Sequence, residues 1–438
     1  MGISDHCPVC DAVDPAPVFA LRDVPVLCNQ LWPDATAARA AACGDVELVR
    51  CKHCAMIWNR AFDAARMVYA PGYENALHFS PRFQSFAEDL AAGLVTRHDL
   101  AGRHVVEIGC GDGHILDLLA KNGVASATGF DPSMAGKDSP FTAREGVAII
   151  PEYFHPDHLD RPFDAVICRH VLEHLDQPAA LLHQIRAAIG NRDVPVYFEV
   201  PNAGWMLDTV SMWDVIYEHV GYWSAAPLST MFRRAGLEPV SVATGYDRQF
   251  LMIEARAGAR EPQFLPNAGG EGGDARQESR HGDSANAAIS SSPTRPASRT
   301  RLGGYAAHAR TDGTAEGTGG IARAADIFAE VANGELERWK TRLAGLRGRA
   351  VIWGAGSKGI TFANALGEAG VSLAALIDLN PRKHGLFAPG VALPVLAPTA
   401  LSTLRPDLVL ISNALYRGEI TTRLNTMGLA PDIEVIAG

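Results

Sequence analysis

Positive charge is in short supply: 39 Lys and Arg stand against 49 Asp and Glu, a formal net charge of −10. Nucleic-acid binding draws on clustered cations that displace counterions from phosphates, so this balance argues against a nucleic-acid partner. No uninterrupted apolar run reaches the roughly 18 residues a membrane-spanning helix needs. The opening Met1-Gly2-Ile3-Ser4-Asp5-His6 has neither the basic nor the apolar region of a secretory signal. A cytoplasmic protein with no membrane partner is therefore expected. No repeat recurs at a fixed period, which excludes a solenoid. What is present is a globular composition, 47% apolar and 20% charged over 438 residues, long enough for roughly three units.

Eight cysteines accompany that composition. Cys7-Pro-Val-Cys10 and Cys51-Lys-His-Cys54 form two C-x-x-C knuckles, while Cys28, Cys43, Cys110 and Cys168 are scattered. Two knuckles offer four thiolates to one tetrahedral zinc, a closed site that stabilises a fold and leaves no position for catalysis. A redox pair or four unrelated buried thiols are the alternatives. Neither knuckle sits in a thioredoxin-like β-α-β setting, which favours structural zinc.

The segment from Asn267 to Gly320 carries only Ile289, Leu302 and Tyr305 as large apolar residues. It cannot bury enough surface to offset its ordering entropy and reads as disordered linker. Residues 1–66 are expected as a zinc-binding lobe, 67–256 as a cofactor domain, 257–322 as linker and 323–438 as a smaller back domain. From Ala324 to Leu346 the spacing of Ile327, Phe328, Val331, Leu336, Trp339 and Leu343 predicts a bridging helix. In the front part a helix at Arg82–Leu100 is followed by strands at 104–108, 126–130, 147–150, 163–168 and 195–200, with helices between and a hairpin to close. That alternation predicts a doubly wound α/β sheet with an antiparallel final strand. The back part repeats the pattern on a smaller scale.

The first strand of the front part, His104–Ile108, runs into Gly109-Cys110-Gly111-Asp112-Gly113 and a helix. Such a turn admits a ligand close to the backbone and aims a helix N-terminus at an anion. Twenty residues past Gly111, Asp131 ends the next strand, placed for a ribose diol. A nicotinamide site shares both features. Glu107 ahead of the glycines, and a third glycine at +2 instead of +3, favour S-adenosylmethionine.

Taken with Phe163-Asp164-Ala165-Val166-Ile167, the Glu107-x-Gly109-x-Gly111-x-Gly113 loop and Asp131 resemble a class I S-adenosylmethionine-dependent methyltransferase. With zinc knuckles ahead and a nucleotide-type fold behind, the whole chain outside the linker resembles the three-part sugar C-methyltransferases, which methylate C3 of 4-keto deoxysugar nucleotides. The fold so implied is a Rossmann-like methyltransferase sheet with an N-terminal zinc-binding lobe and a smaller C-terminal Rossmann-like domain. The resemblance assigns Glu107, Gly109, Gly111 and Asp131 to the cofactor, with Gly113 in the same loop. Tyr153 and Phe154 would lie near the adenine, although an aromatic pair also fills cores.

Carbon methylation needs a base to remove a proton next to a carbonyl and a donor for the enolate oxygen. Three polar clusters offer them. Arg169-His170-Val171-Leu172-Glu173-His174 follows a strand end, and His174 matches a histidine of the family, although this motif also serves packing. Tyr217-Glu218-His219-Val220-Gly221-Tyr222-Trp223-Ser224 compares with the family's Tyr-x-Glu-His-x-x-Tyr-Phe-Ser. Glu218, His219, Tyr222 and Ser224 match; Trp223 replaces phenylalanine, and Ile216 occupies the first tyrosine's slot. The expectation is His219 as base near neutral pH, Glu218 orienting it, and Tyr222 close by. Tyr73 or His78, ahead of the first helix, would approach the acceptor, or the stretch simply packs on the zinc lobe.

In the back domain Gly354-Ala355-Gly356-Ser357-Lys358-Gly359 follows a strand, and Asp378 ends the next one. By spacing this is a dinucleotide fingerprint. Lys358 and the helix N-terminus would face the diphosphate of a nucleotide-linked substrate, with Gly354 and Gly356 in the turn and Lys383 within a matching Asn380–Gly385 stretch. An empty scaffold loop is the plainer alternative. The expected partner is a small-molecule acceptor such as a nucleotide-linked sugar. The rivals are an O- or N-methyltransferase on another small molecule, a metabolite-sensing adaptor without turnover, and an NAD-dependent oxidoreductase built on the back domain.

Overall fold

The computed structural model describes residues 5–67, 73–158, 162–258, 317–346, 349–367 and 373–436. The linker expected at 257–322 falls mostly on 259–316, outside the described residues. Its last six residues are helical, a correction taken up below.

The N-terminal lobe holds β1 (Ala16–Pro25), α1 (Ala35–Arg39), β2 (Cys43–Arg50) and β3 (Ile57–Asn59), the strands pairing antiparallel in that order. The middle part begins with α2 (Pro81–His98), whose start follows from Ser80 accepting the Phe83 amide and from Pro81 in the first turn. Its Phe83, Phe86, Leu90 and Leu94 are buried on one face, as their spacing requires. There follow β4 (His104–Ile108), α3 (His114–Lys121), β5 (Ser126–Phe130), β6 (Val147–Ile150), β7 (Ala165–Arg169), α4 (Pro178–Ile189), β8 (Val196–Pro201), α5 (Ala203–Asp208), β9 (Gly221–Tyr222), α6 (Ala225–Arg234), β10 (Leu237–Gly245) and β11 (Phe250–Ala257).

Seven of these strands form one sheet in the order β10-β11-β8-β7-β4-β5-β6. All neighbours are parallel except β11, which is antiparallel to β8 and to β10, the expected antiparallel closing hairpin. The order reverses between β4 and β7, and the carboxyl ends of strands at such a switch point bound a ligand crevice. β9 departs from this sheet and pairs with β3, so the middle part completes the N-terminal sheet.

The back part contains α7 (Gly317–Ala344), β12 (Ala350–Trp353), α8 (Ser357–Leu366), β13 (Leu373–Ile377), β14 (Val395–Leu396), α9 (Leu401–Leu404), β15 (Leu408–Ile411), α10 (Arg417–Thr426) and β16 (Asp432–Val435). Its five strands are parallel in the order β14-β13-β12-β15-β16. The bridging helix starts at Gly317, earlier than expected, because Ile321 and Ala325 already belong to its buried stripe with Phe328, Ala332, Trp339 and Leu343. Ile327 and Val331, expected on that stripe, face solvent. Phe328 meets Phe19 of β1 edge-on at 5.4 Å, and Trp213 meets Phe362 of α8 edge-on at 4.9 Å. Trp32 and Phe387 exchange backbone hydrogen bonds of 2.9 and 2.8 Å. One apolar core thus runs from the N-terminal sheet through α7 into the back domain.

Candidate active site

Glu107 lies on the fully buried β4, and burial pushes its carboxyl up to about 8, against the pull of Arg169. Its Oε2 has no hydrogen-bond partner among the described residues. A buried carboxyl oxygen left unmatched beside a glycine turn calls for a donor or a cation from a ligand, and the ammonium of S-adenosylmethionine fits that need. Asp131 accepts the Gly111 amide at 2.8 Å and the Ser133 amide at 2.9 Å, so the second strand end and the loop are locked together. Tyr153 and Phe154, paired in the expectation, point opposite ways. Tyr153 is 74% exposed, whereas Phe154 is buried against Phe130, edge-on at 5.3 Å. Both border a recess shared with Pro132 and His158, next to Asp131.

A cavity of about 330 Å³ opens between the carboxyl ends of the seven-stranded sheet and the back domain. Its wall carries His170, Glu173, His174, His219 and Tyr73 on one side and Gly354, Gly356, Ser357 and Lys358 on the other. The rings of His174 and His219 meet edge-on at 5.0 Å. His174 donates from Nδ1 to the Glu218 carbonyl at 3.1 Å, which fixes its tautomer when neutral. Glu173 is buried, with one oxygen unpartnered among the described residues, and its donor atoms lie within 4.8 Å of those of His174 and His219.

The expected pairing of Glu218 with His219 is not what the chain builds. Residues 216–220 form an irregular turn, and Glu218 faces the N-terminal lobe while His219 lines the cavity. The Glu218 carboxylate accepts the Tyr73 hydroxyl at 2.7 Å and the Cys28 amide at 2.6 Å. Nor does His219 titrate near neutrality: burial, reinforced by His174, lowers it to about 3. The carboxylate that opposes this drop is Glu173. Tyr222 stays beside His219, its ring centre 5.9 Å away, and borders the cavity, but its hydroxyl is already engaged. It lies in a strand, and its buried hydroxyl bridges the amide and carbonyl of Ile216, both at 3.1 Å. Ile216, in the slot of the family's tyrosine, lines the cavity, whereas Tyr217 turns away and accepts the Asp63 amide at 3.0 Å.

Behind the imidazoles lies a buried charge network built on the Arg169–His174 stretch and on Glu199 of the neighbouring strand. Arg169 donates to Glu199 at 2.7 Å, and Tyr197 donates to the same carboxylate at 2.9 Å. His170 holds its backbone at φ 54°, in the left-handed region, with its ring nitrogens 3.4 Å from Glu173 and 3.1 Å from Glu199. Burial works against its charge, but the two carboxylates outweigh it and hold His170 up at about 9. An unusual backbone angle at a strand end beside a cavity often marks a functional position. The Arg169–Glu173 stretch was legible beforehand; that Glu199 and Tyr197 of the next strand close the network was not.

The remaining expected residues separate. Tyr73 reaches the cavity, but His78 lies beside the cofactor loop, 3.8 Å from Asp112 and stacked on His114 at 4.5 Å. Lys358 is no free cation for a phosphate: its Nζ binds Asp214 at 2.8 Å and sits 4.6 Å from the Trp205 ring centre. Lys383 is buried and donates to the Ala355 carbonyl at 2.9 Å, propping the back glycine loop from beneath. In the N-terminal lobe Cys7, Cys10, Cys51 and Cys54 converge, with sulfurs 3.4 Å apart for Cys7–Cys54 and 3.5 Å for Cys10–Cys51. Among the described residues no helix is long and apolar enough to cross a membrane.

Comparisons with known proteins bear on the same two halves. Residues 82–242 match the family model of a methyltransferase domain, and residues 335–430 match that of the C-methyltransferase C-terminal domain. The mitochondrial ubiquinone biosynthesis O-methyltransferase of Schizosaccharomyces pombe is 29% identical over 125 residues, 26% of this chain and 40% of that protein. The chain therefore spans less than half the length of this curated relative. Among solved structures, magnesium protoporphyrin IX methyltransferase from Synechocystis PCC 6803 with bound SAH is 19% identical, covering 44% of this chain and 92% of its own at a TM-score of 0.33. A second, 1,6-didemethyltoxoflavin-N1-methyltransferase from Burkholderia thailandensis, is 16% identical, covering 46% and 96% at 0.32. The matched domains, the strand order and the glycine loop ahead of Asp131 agree: the chain carries a class I S-adenosylmethionine-dependent methyltransferase domain joined to a C-methyltransferase C-terminal domain.

Proposed function

We propose that the enzyme methylates carbon next to a carbonyl, and that its acceptor is a nucleotide-activated keto sugar or a related carbonyl compound. The observation that carries this reading is the shared cavity, with His174 and His219 on one wall and the back domain's glycine loop on the other. An acceptor with a reactive carbonyl end and an anionic nucleotide end fits such a two-sided space. The helix start at Ser357, rather than Lys358, offers the anion its amides.

His219 takes the proton, the C–H electrons move to the carbonyl oxygen, and the enolate carbon is left as the nucleophile. Burial keeps His219 neutral down to about pH 3, so its lone pair is available throughout the neutral range. The same burial makes it a weak base, and the acceptor's C–H must be correspondingly acidic. Glu173 offsets part, but not all, of the cost of the charge His219 gains. His174, fixed by the Glu218 carbonyl, keeps its other nitrogen free to act beside it. When bound, S-adenosylmethionine supplies an electrophilic methyl group, held by Glu107, the Gly109–Gly113 loop and Asp131.

The test is exchange of the acceptor's acidic proton with deuterated water in the absence of methyl donor. Exchange should occur in the wild type and fall roughly 10²–10⁴-fold in His219→Asn, with S-adenosylhomocysteine affinity unchanged. Since the base is unprotonated well below neutrality, the exchange rate should not decline between pH 8 and pH 5. Persistent exchange in the variant moves the base to His174. No exchange with any carbonyl acceptor rejects carbon methylation in favour of a heteroatom acceptor.

We further propose that the four N-terminal cysteines hold one structural zinc. Tetrahedral thiolate coordination sets sulfurs about 3.8 Å apart, close to the two separations above. Cys51→Ser should lower metal content and melting temperature together; an unchanged melt in metal-free protein would reject the assignment.

A further inference from the structure

The cofactor loop has few handles. Three of the five residues in Gly109–Gly113 are glycines, leaving the side chains of Cys110 and Asp112. Cys110 is buried against Gly129, inside the sheet. Asp112 points the other way, out of the methyltransferase domain, and its Oδ2 accepts Nη1 of Arg382 at 2.9 Å. Arg382 belongs to the C-terminal domain, on the turn that follows β13.

That turn is itself tied down at several points. The same Arg382 nitrogen reaches Glu74 at 3.4 Å, and its guanidinium sits 5.5 Å from the centre of the Phe79 ring. Asn380 donates to Glu74 at 3.1 Å and accepts the Arg382 amide at 3.0 Å. One step back, Asp378 accepts the Asn380 amide at 2.8 Å and the Ala355 amide of the back glycine loop at 2.9 Å. A continuous chain of hydrogen bonds therefore runs from the back glycine loop through Asp378, Asn380 and Arg382 to Asp112 in the cofactor loop.

We infer that Arg382 is a positioning residue for the methyltransferase domain's cofactor loop, supplied by the C-terminal domain. The cofactor site is then completed by a residue from outside its own domain, and the seating of the C-terminal domain sets how well the loop is preformed. A loop pinned in its binding conformation loses less freedom when the cofactor arrives, which tightens binding without a direct contact. The inference rests on the cofactor and not on the acceptor, so it stands or falls apart from the carbon-methylation proposal.

The experiment is calorimetric titration of the full-length chain with S-adenosylhomocysteine, alongside thermal melts, for wild type, Arg382→Met, Arg382→Lys, Asp112→Asn and the double variant Asp112→Asn/Arg382→Met. Arg382→Met should weaken binding about fivefold, near the upper range for a partly exposed ion pair. Arg382→Lys, which keeps the charge, should recover most of that loss. In the Asp112→Asn background the same substitution should cost nothing further, because its partner is already gone. The KM for S-adenosylmethionine should rise in proportion, with little change in kcat. Binding within twofold of wild type in Arg382→Met overturns the inference. So does a full additional loss in the double variant, which would mean that Arg382 acts by another route. If Arg382→Met does not fold, Arg382→Gln keeps most of the stem and is judged by the same outcomes.

Discussion

The chain contains two glycine loops built to one plan, and they differ in what each leaves unmatched. In the methyltransferase domain, β4 leads into the loop, and Asp131 just past β5 accepts a loop amide at 2.8 Å and an amide two residues on at 2.9 Å. In the C-terminal domain, β12 leads into the loop, and Asp378 just past β13 makes the same two bonds at 2.9 and 2.8 Å. Beneath the first loop lies Glu107, buried, with an oxygen unpartnered among the described residues. Beneath the second lies Lys383, buried, with its ammonium bonded to the loop's own carbonyl at 2.9 Å. One scaffold leaves a polar demand open to a ligand, while the other meets its demand internally. A shared fingerprint therefore identifies a fold; the unmatched carboxyl marks the loop that calls for a cation, while the back loop has only its helix-start amides to offer a ligand.

Substitution at paired positions tests this contrast, and the largest effect is expected in the first loop. Gly109 has φ 72°, and a Cβ there would lie 2.1 Å from Val171 Cγ2. Left-handed backbone costs a side chain about 1–2 kcal/mol before the clash is counted. Gly109→Ala should therefore weaken S-adenosylhomocysteine binding at least tenfold by calorimetry. Gly354, the counterpart in the back loop, has φ 120° and would press a Cβ against Ser412 Oγ. Gly354→Ala should therefore strain its loop as severely and lower the melting temperature, yet leave that affinity unchanged.

The paired aspartates come next. Asp131→Ala should weaken S-adenosylhomocysteine binding roughly tenfold, since the carboxylate holds the cofactor loop through the Gly111 amide, and charge-assisted bonds contribute about 1.5–3 kcal/mol. Asp378→Ala should lower the melting temperature while its effect on affinity stays well below tenfold. Equal losses at the two sites would erase the distinction.

A smaller effect concerns protons. Glu107 is held at about 8 in the folded chain against an ordinary 4.5, so the folded state carries a proton there that the unfolded state lacks. Stability from this group is full below pH 4.5 and is lost as pH rises through about 8. A ligand cation beside Glu107 reverses the preference and expels the proton. Calorimetry at pH 7 in buffers of different ionisation enthalpy should report release of close to one proton on S-adenosylhomocysteine binding, absent in Glu107→Gln. Uptake of a proton would place the ligand's positive charge elsewhere.

Much of the fold was readable because it rests on local rules. Apolar spacing in α2, the Ser80-Pro81 start and the strand-glycine-helix units depend on near neighbours in sequence. The site was readable only in part. Glu218 and His219 are adjacent, and adjacency suggested a working pair. In an irregular turn adjacent side chains diverge, so Glu218 binds Tyr73 and Cys28 instead. Lys358 looked like a phosphate cation until Asp214, 144 residues away, proved to hold it.

By itself the sequence determined the two nucleotide-type domains, the class of cofactor and the four-cysteine cluster, since each rests on short-range spacing with a fixed physical meaning. Tertiary structure alone decided that Glu173 and not Glu218 accompanies the two imidazoles, that His219 is neutral far below physiological pH, and that Arg382 reaches the other domain's cofactor loop. Those outcomes depend on burial and on charges brought close by packing. Neither is a property of spacing along the chain.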